Sequence, residues 1–94
     1  MSFELQFLPS ALKEWDKLGA PVRAQFKKKL AERLEHPRIP KDALHGMRDH
    51  YKIKLRDAGY RLVYRVDDGR VTVTVVAVGK RERSTVYRDA ARRG

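Results

Sequence analysis

His50-Tyr51-Lys52-Ile53-Lys54-Leu55-Arg56-Asp57-Ala58-Gly59-Tyr60-Arg61-Leu62-Val63-Tyr64-Arg65-Val66 is the stretch that decides the fold. Tyr51, Ile53 and Leu55 alternate with Lys52, Lys54 and Arg56. A strand sends successive side chains to opposite faces, so this run has one apolar and one cationic face. Asp57-Ala58-Gly59 reads as a tight connection, because glycine takes the positive φ that hairpin turns demand. Tyr60, Leu62, Tyr64 and Val66 then repeat the apolar face, with Arg61 and Arg65 opposite and Val63 between them. The expectation is two paired strands with cations on a shared face, left open as a flat or concave surface. Nothing acidic neutralises that face within the strands. Such a surface suits a polyanion.

Upstream, Phe3, Leu5 and Phe7 alternate with Ser2, Glu4 and Gln6, which predicts a half-buried strand over residues 2–8. Pro9-Ser10 stops it. Ser10 is the candidate N-cap of a helix carrying Ala11, Leu12, Trp15 and Leu18, and Gly19 is its expected stop. Pro21 suits the first turn of a second helix, in which Val22, Phe26, Leu30 and Leu34 form one stripe. Lys27, Lys28, Lys29 and Arg33 lie off the centre of that stripe. Pro37 ends the helix, since the residue before a proline disfavours helical geometry. Residues 37–50 read as a long irregular connection pinned by Leu44 and Met47.

Downstream, Asp67-Asp68-Gly69 predicts a second turn and the Val-rich residues 70–79 a buried strand. Ser84 is the candidate cap of a last helix running through Arg92. The order is β-α-α-β-β-β-α. The fold class is α+β: an antiparallel sheet of about four strands, two N-terminal helices packed on one face, and a short C-terminal helix. Residues 1–94 are expected to form a single domain.

Charged residues make up 36% of the 94-residue chain, and the formal net charge is +10. The excess is uneven. Residues 21–36, 50–66 and 80–94 carry net charges of +3, +4 and +4, and the remainder carries −1. A fold that gathers these segments makes a strongly positive surface, which points to a polyanionic partner. The chain has no cysteine, which excludes disulfides, thiolate catalysis and Cys-based zinc sites. The acids are scattered, with no HxxxH or paired-carboxylate spacing, so no metal and no other cofactor is expected. No apolar stretch approaches the roughly 20 residues of a membrane span, and the first residues lack a secretory pattern. A cytoplasmic location without a membrane partner is the expectation.

Gly79-Lys80-Arg81-Glu82-Arg83 follows the last strand, and Tyr87 lies a turn into the last helix. If the three later strands are neighbours, Lys52, Lys54, Arg61, Arg81 and Tyr87 converge at one end of the sheet. In order and spacing, Leu44-x-Gly46, Tyr51-Lys52-Ile53-Lys54-Leu55-Arg56, Gly59-Tyr60-Arg61-Leu62-Val63-Tyr64 and Val78-Gly79-Lys80-Arg81-Glu82-Arg83 through Tyr87 resemble the RelE toxins of the RelE/ParE superfamily. The helix segments Leu12-Lys13-Glu14-Trp15 and Lys27-Lys28-Lys29-Leu30 extend the resemblance over nearly the whole chain.

The resemblance implies the toxin of a type II toxin–antitoxin system, an mRNA endonuclease acting in the ribosomal A site. It implies a cognate RelB-like antitoxin, contact with mRNA and 16S rRNA, and DNA contact only through the antitoxin complex that autoregulates the operon. It maps the catalytic group onto Lys52, Lys54, Arg61, Arg81 and Tyr87. Further RNA contacts are expected from Lys27, Lys28, Lys29, His45, Arg56, Arg65, Lys80 and Arg83. His45 is a departure, since such toxins often have arginine there; a protonated histidine could still contact phosphate.

The residue chemistry agrees. RNA carries its own nucleophile, the 2′-hydroxyl beside the scissile phosphate. The enzyme must orient that group, remove its proton, stabilise the developing charge and assist the leaving 5′-oxygen. None of the histidines at 36, 45 and 50 falls in the convergent group. Neighbouring positive charges push a lysine pKa down, so Lys54 or Lys52 is a candidate base. Arg61 fits phosphate oxygens bidentately. Tyr87 could orient the base or stack on a nucleobase, and the resemblance gives Arg81 the leaving group. Two other classes use the same cations: a non-catalytic RNA- or ribosome-binding module, and a ParE-like gyrase inhibitor.

Overall fold

The computed structural model describes residues 2–80 and 85–93. The elements are β1 (Glu4–Phe7), α1 (Pro9–Asp16), α2 (Ala20–Glu35), a 3-10 turn (Pro40–Asp42), β2 (His50–Leu55), β3 (Tyr60–Asp67), β4 (Thr72–Lys80) and α3 (Thr85–Arg93). The expected order β-α-α-β-β-β-α holds, and the fold is α+β. Ser84, the candidate cap of the last helix, lies outside the described residues.

The sheet order is β1-β4-β3-β2. β2, β3 and β4 form the expected antiparallel meander. β1 joins the far edge parallel to β4, with Glu4 opposite Thr72 and Phe7 opposite Val75, so the four-stranded sheet is mixed.

Helix ends differ in detail from the sequence expectation. Leu8 precedes the first turn of α1, no side chain caps it, and Pro9 opens the helix where a missing N–H costs nothing. Gly19 is extended (φ −63°, ψ 151°) and starts α2 rather than ending α1. Gly59 takes φ 71° in the β2–β3 turn, as the hairpin requires. In the β3–β4 turn the positive φ falls on Val71 (54°), not on Gly69. Val71 is held there because its N–H donates to the Asp68 carbonyl and its own carbonyl accepts from the Glu4 N–H.

The sheet has a core on each face. On one, Trp15, Leu18, Phe26 and Leu30 of the N-terminal helical region pack on Ile53, Leu62, Tyr64 and Val75. Val22 and Leu34 complete the predicted α2 stripe as partly buried neighbours. On the other, Val86 and Ala90 of α3 cover Val63, Val76 and Ala77, with Leu44 and Met47 at the margin. The cationic face of the hairpin is therefore not left open as expected: α3 and the 44–47 segment roof part of it. The physical reason is apolar supply. The register slips by one residue between Val63 and Tyr64, Val76 joins Ala77 on this face, and that apolar patch needs cover.

Candidate nucleic-acid active site

Lys54 and Arg61 are direct cross-strand partners on β2 and β3, and Lys52 sits two positions along, opposite Val63. All three project away from the α1–α2 core, since Ile53, Leu55 and Leu62 fill it. The strand alternation thus places three cations side by side at the turn end of the hairpin. A pocket of about 240 Å³ opens there, lined by Lys54, Leu55, Arg56, Tyr60 and Arg61. Tyr87 completes the group from α3: its ring lies beneath the Arg61 guanidinium, with Cζ 5.3 Å from the centroid.

Gly79 makes that approach possible. It pairs with Arg61 across β3 and β4. A methyl group added at Gly79 would lie 3.0 Å from Val86 Cγ2. The helix therefore rests almost on the strand backbone, and the residue after Val86 reaches Arg61. Tyr87 is half-buried, Arg61 and Lys52 are half-buried, and Lys54 is exposed.

Electrostatics singles out Lys54. Its amine is held below its ordinary value, first by the charge of Lys52, then by partial loss of hydration, then by Arg61 and Arg56. Asp42, in the 3-10 turn, acts in the opposite direction. Between Lys52 and Arg65 the strands contribute no acid to the face, as the sequence indicated; Asp67, the last residue of β3, falls on it beyond Arg65, and the 3-10 turn supplies Asp42 beside Lys54.

The remaining candidates divide by position. Lys29 lines a pocket of about 330 Å³ with Lys54, Arg56 and Asp57. Lys27 and Lys28 are exposed on α2. His45 is exposed between Leu44 and Met47, which pack on the Arg61 side of the sheet. Arg65 pairs with His50 and lines a different cavity of about 580 Å³ with Arg38, Arg48, Asp49, Asp67 and Asp68. It stands four residues along β3 from Arg61, roughly 13 Å at strand rise, and so apart from the convergent group. Lys80 pairs with Tyr60, whose ring packs toward the α1–α2 core, so it does not share Arg61's face. Arg81 and Arg83 lie outside the described residues. Among the described residues, no group of three or more His, Asp or Glu could hold a metal ion.

A helix-anchoring pair went unread in the sequence. Arg93 donates to both carboxylate oxygens of Glu14, at 2.8 and 3.2 Å, and to the Val76 carbonyl at 2.9 Å. Glu14 also accepts from the Val78 N–H at 3.1 Å. This ties the end of α3 to α1 and β4, and with it the position of Tyr87. Nothing in the spacing of Glu14 and Arg93 marks them as partners.

A family model described as ParE toxin of type II toxin–antitoxin system, parDE, matches residues 5–85. This chain belongs to the RelE/ParE toxin family. It is 60% identical over 93 residues to the mRNA interferase toxin RelE of Escherichia coli K12, covering 99% of this chain and 98% of that relative. Its fold matches a free-state mutant of the E. coli toxin RelE with a TM-score of 0.92 at 58% identity, over 99% of this chain and 98% of that chain. It also matches the intact E. coli RelBE toxin–antitoxin complex, with a TM-score of 0.84 at 60% identity over 87% of this chain and 100% of that chain. Among the described residues no helix is long and apolar enough to cross a membrane.

Proposed function

We propose that this chain is the toxin of a type II toxin–antitoxin pair, an mRNA interferase that cuts mRNA in the ribosomal A site. The observation that carries the reading is the Lys54–Arg61 cross-strand pair with Tyr87 against it. A lysine whose ammonium form is disfavoured sits beside an arginine that stays charged.

The chemistry follows from those positions. Lys54 takes the proton of the 2′-hydroxyl, and the 2′-oxygen attacks the adjacent phosphorus. Arg61 holds the non-bridging oxygens as negative charge grows on them. The bond to the 5′-oxygen breaks, and a cation at the far side supports the departing alkoxide until it gains a proton. Family resemblance gives that role to Arg81. Lys52 keeps Lys54 from holding its proton and adds charge for the phosphate. Tyr87 keeps Arg61 aimed and offers an aromatic face to a base. The products are a 2′,3′-cyclic phosphate, or the 3′-phosphate from its hydrolysis, and a 5′-hydroxyl.

The small open site has little to grip RNA with, so the ribosome supplies the alignment, with Lys27, Lys28, Lys29, His45, Arg56, Lys80 and Arg83 bearing on mRNA and 16S rRNA. Arg65 serves that outer contact rather than the reaction. A RelB-like antitoxin silences the toxin, and their complex reaches operator DNA. The chain acts in the cytoplasm, where translating ribosomes are.

The test uses programmed ribosomes and a message with one 2′-deoxy substitution 5′ of the scissile bond. Cutting is expected at the normal position in the unsubstituted message and nowhere at the substituted one. Undiminished cutting of the substituted message rules out 2′-hydroxyl attack. A toxin that shifts no message but traps ribosomes points instead to a non-catalytic ribosome-binding module.

A further inference from the structure

Arg33 reaches from α2 to the outer edge of the sheet at β2. Its guanidinium donates to Asp42 Oδ2 at 2.7 Å, to Tyr64 Oη at 2.9 Å and to the main-chain oxygen of Lys52 at 3.3 Å. The Tyr64 hydroxyl in turn donates to the Pro37 carbonyl at 2.6 Å. One side chain of α2 therefore binds the 3-10 turn and both hairpin strands, and Tyr64 carries the network on to Pro37. The ion pair is largely withdrawn from water, with Arg33 and Asp42 side chains 14% and 19% exposed. β2 is an edge strand, and Arg33 meets its backbone at Lys52, two positions before Lys54.

Asp42 then lines a cavity of about 160 Å³ with Lys29, Lys41, Lys54 and Arg56. The charged groups facing Lys54 are Lys52 and Arg56 from β2, Arg61 from β3, Lys29 and Arg33 from α2, Lys41 and Asp42 from the 3-10 turn, and Asp57 from the hairpin turn. A loose carboxylate here would swing onto Lys54 and hold it as ammonium. Engaged by Arg33 at 2.7 Å, it cannot make that contact freely, yet it still tempers the repulsion among the cations.

We propose that Arg33 and Asp42 are positioning residues for Lys54: the guanidinium clamps the β2 edge and holds the Asp42 carboxylate at a fixed place in the pocket Lys54 shares. This rests on Lys54 being the base. The pair sets how readily Lys54 gives up its proton, without touching RNA.

Single-turnover cleavage on programmed ribosomes, measured against pH, tests it with the full-length toxin, Asp42→Asn, Asp42→Glu and Lys54→Ala. Removing the carboxylate should move the rising limb of the profile to lower pH. On that limb Asp42→Asn should cut roughly two- to threefold faster than the parent, the scale of one solvent-screened charge. Asp42→Glu should restore the parental limb. If Asp42→Asn does not fold, Asp42→Ser takes its place in the same comparison. An unmoved limb in the folded variant, at any overall rate, together with an inactive Lys54→Ala, overturns the positioning role and leaves the base assignment standing. A Lys54→Ala toxin that cuts with the parental profile overturns both.

Discussion

The Arg61 guanidinium lies over the Tyr87 ring at 5.3 Å, joining a strand residue to a helix residue that the sheet alone does not bring together. Such a contact stabilises by roughly 0.5–1 kcal/mol at an exposed site. That is small against global stability and large against the freedom of an arginine side chain. Its main consequence is aim: the guanidinium is held over the pocket it shares with Lys54.

Tyr87→Phe keeps the ring and should keep melting within a degree or two of the parent while losing part of the cutting rate. Tyr87→Ala removes the surface on which Arg61 rests. Cleavage on programmed ribosomes should fall by roughly 10²-fold, the scale of a misplaced catalytic group. Arg61→Ala should lose at least as much with little change in melting, because Arg61 is not part of either apolar core. Equal rates for Tyr87→Ala and the parent would remove Tyr87 from the site.

Gly79→Ala tests the seat of α3. The new methyl would stand 3.0 Å from Val86 Cγ2, closer than nearly all real contacts, so the helix must give by a few tenths of an ångström. The expected cost is about 1–2 kcal/mol of stability from overpacking. Because Tyr87 follows Val86, cleavage should fall by more than the loss of folded protein accounts for. Pairing Gly79→Ala with Val86→Ala should recover much of both. If the double variant is no better than the single one, the close approach at Gly79 does not govern the helix.

Much of this was legible in the chain because it is local. Period-two alternation from Tyr51 to Leu55 and from Tyr60 to Val66 gave the hairpin face that α1 and α2 cover, and Gly59 marked its turn, but Val63, on the cationic face, is buried beneath α3 instead of lying open. The four-residue spacing of Val22, Phe26, Leu30 and Leu34 gave the buried stripe of α2. What was hidden depends on contacts between distant segments. Nothing in residues 4–7 says that they pair parallel with β4. The slipped register beside Val63 puts Val76 and Ala77 on one face, which alternation alone cannot foresee. The pairing of Arg33 with Asp42 likewise exists only once the 3-10 turn folds back on α2.

The Glu14–Arg93 pair predicts a local effect on α3. Both side chains are about three-quarters buried, and each makes a second bond to the β4 backbone. Glu14→Gln keeps the volume and one acceptor but removes the charge that Arg93 grips. The expected loss is about 1–2 kcal/mol. Hydrogen exchange should quicken first at the amides of α3, with those of β3 little changed. Uniform acceleration across the sheet would mean that the pair supports the whole fold rather than the helix.

Lys54 links function to stability in opposite directions. Its amine sits below its ordinary value because Lys52, Arg61 and Arg56 repel the ammonium form. With Lys54 as the proposed base, it must be neutral to accept the 2′-hydroxyl proton, so the cleavage rate should rise with pH until Lys54 has titrated. Removing Lys52's charge, as in Lys52→Gln, lifts the largest cause of the shift and should move that limb to higher pH. The stability sign is the reverse of a salt-bridged lysine. A folded-state value below the unfolded one means the folded chain binds fewer protons in the window between them, so stability rises with pH there. Below that window the repulsion is fully present. Lys54→Gln, which removes it, should therefore raise the melting temperature at neutral pH while abolishing cleavage. Thermal melts of the free toxin at neutral pH, beside ribosome cleavage assays, check both halves. A Lys54→Gln toxin that melts lower than the parent would show that the cationic cluster is not strained, and the reason given for Lys54 as the base would go with it.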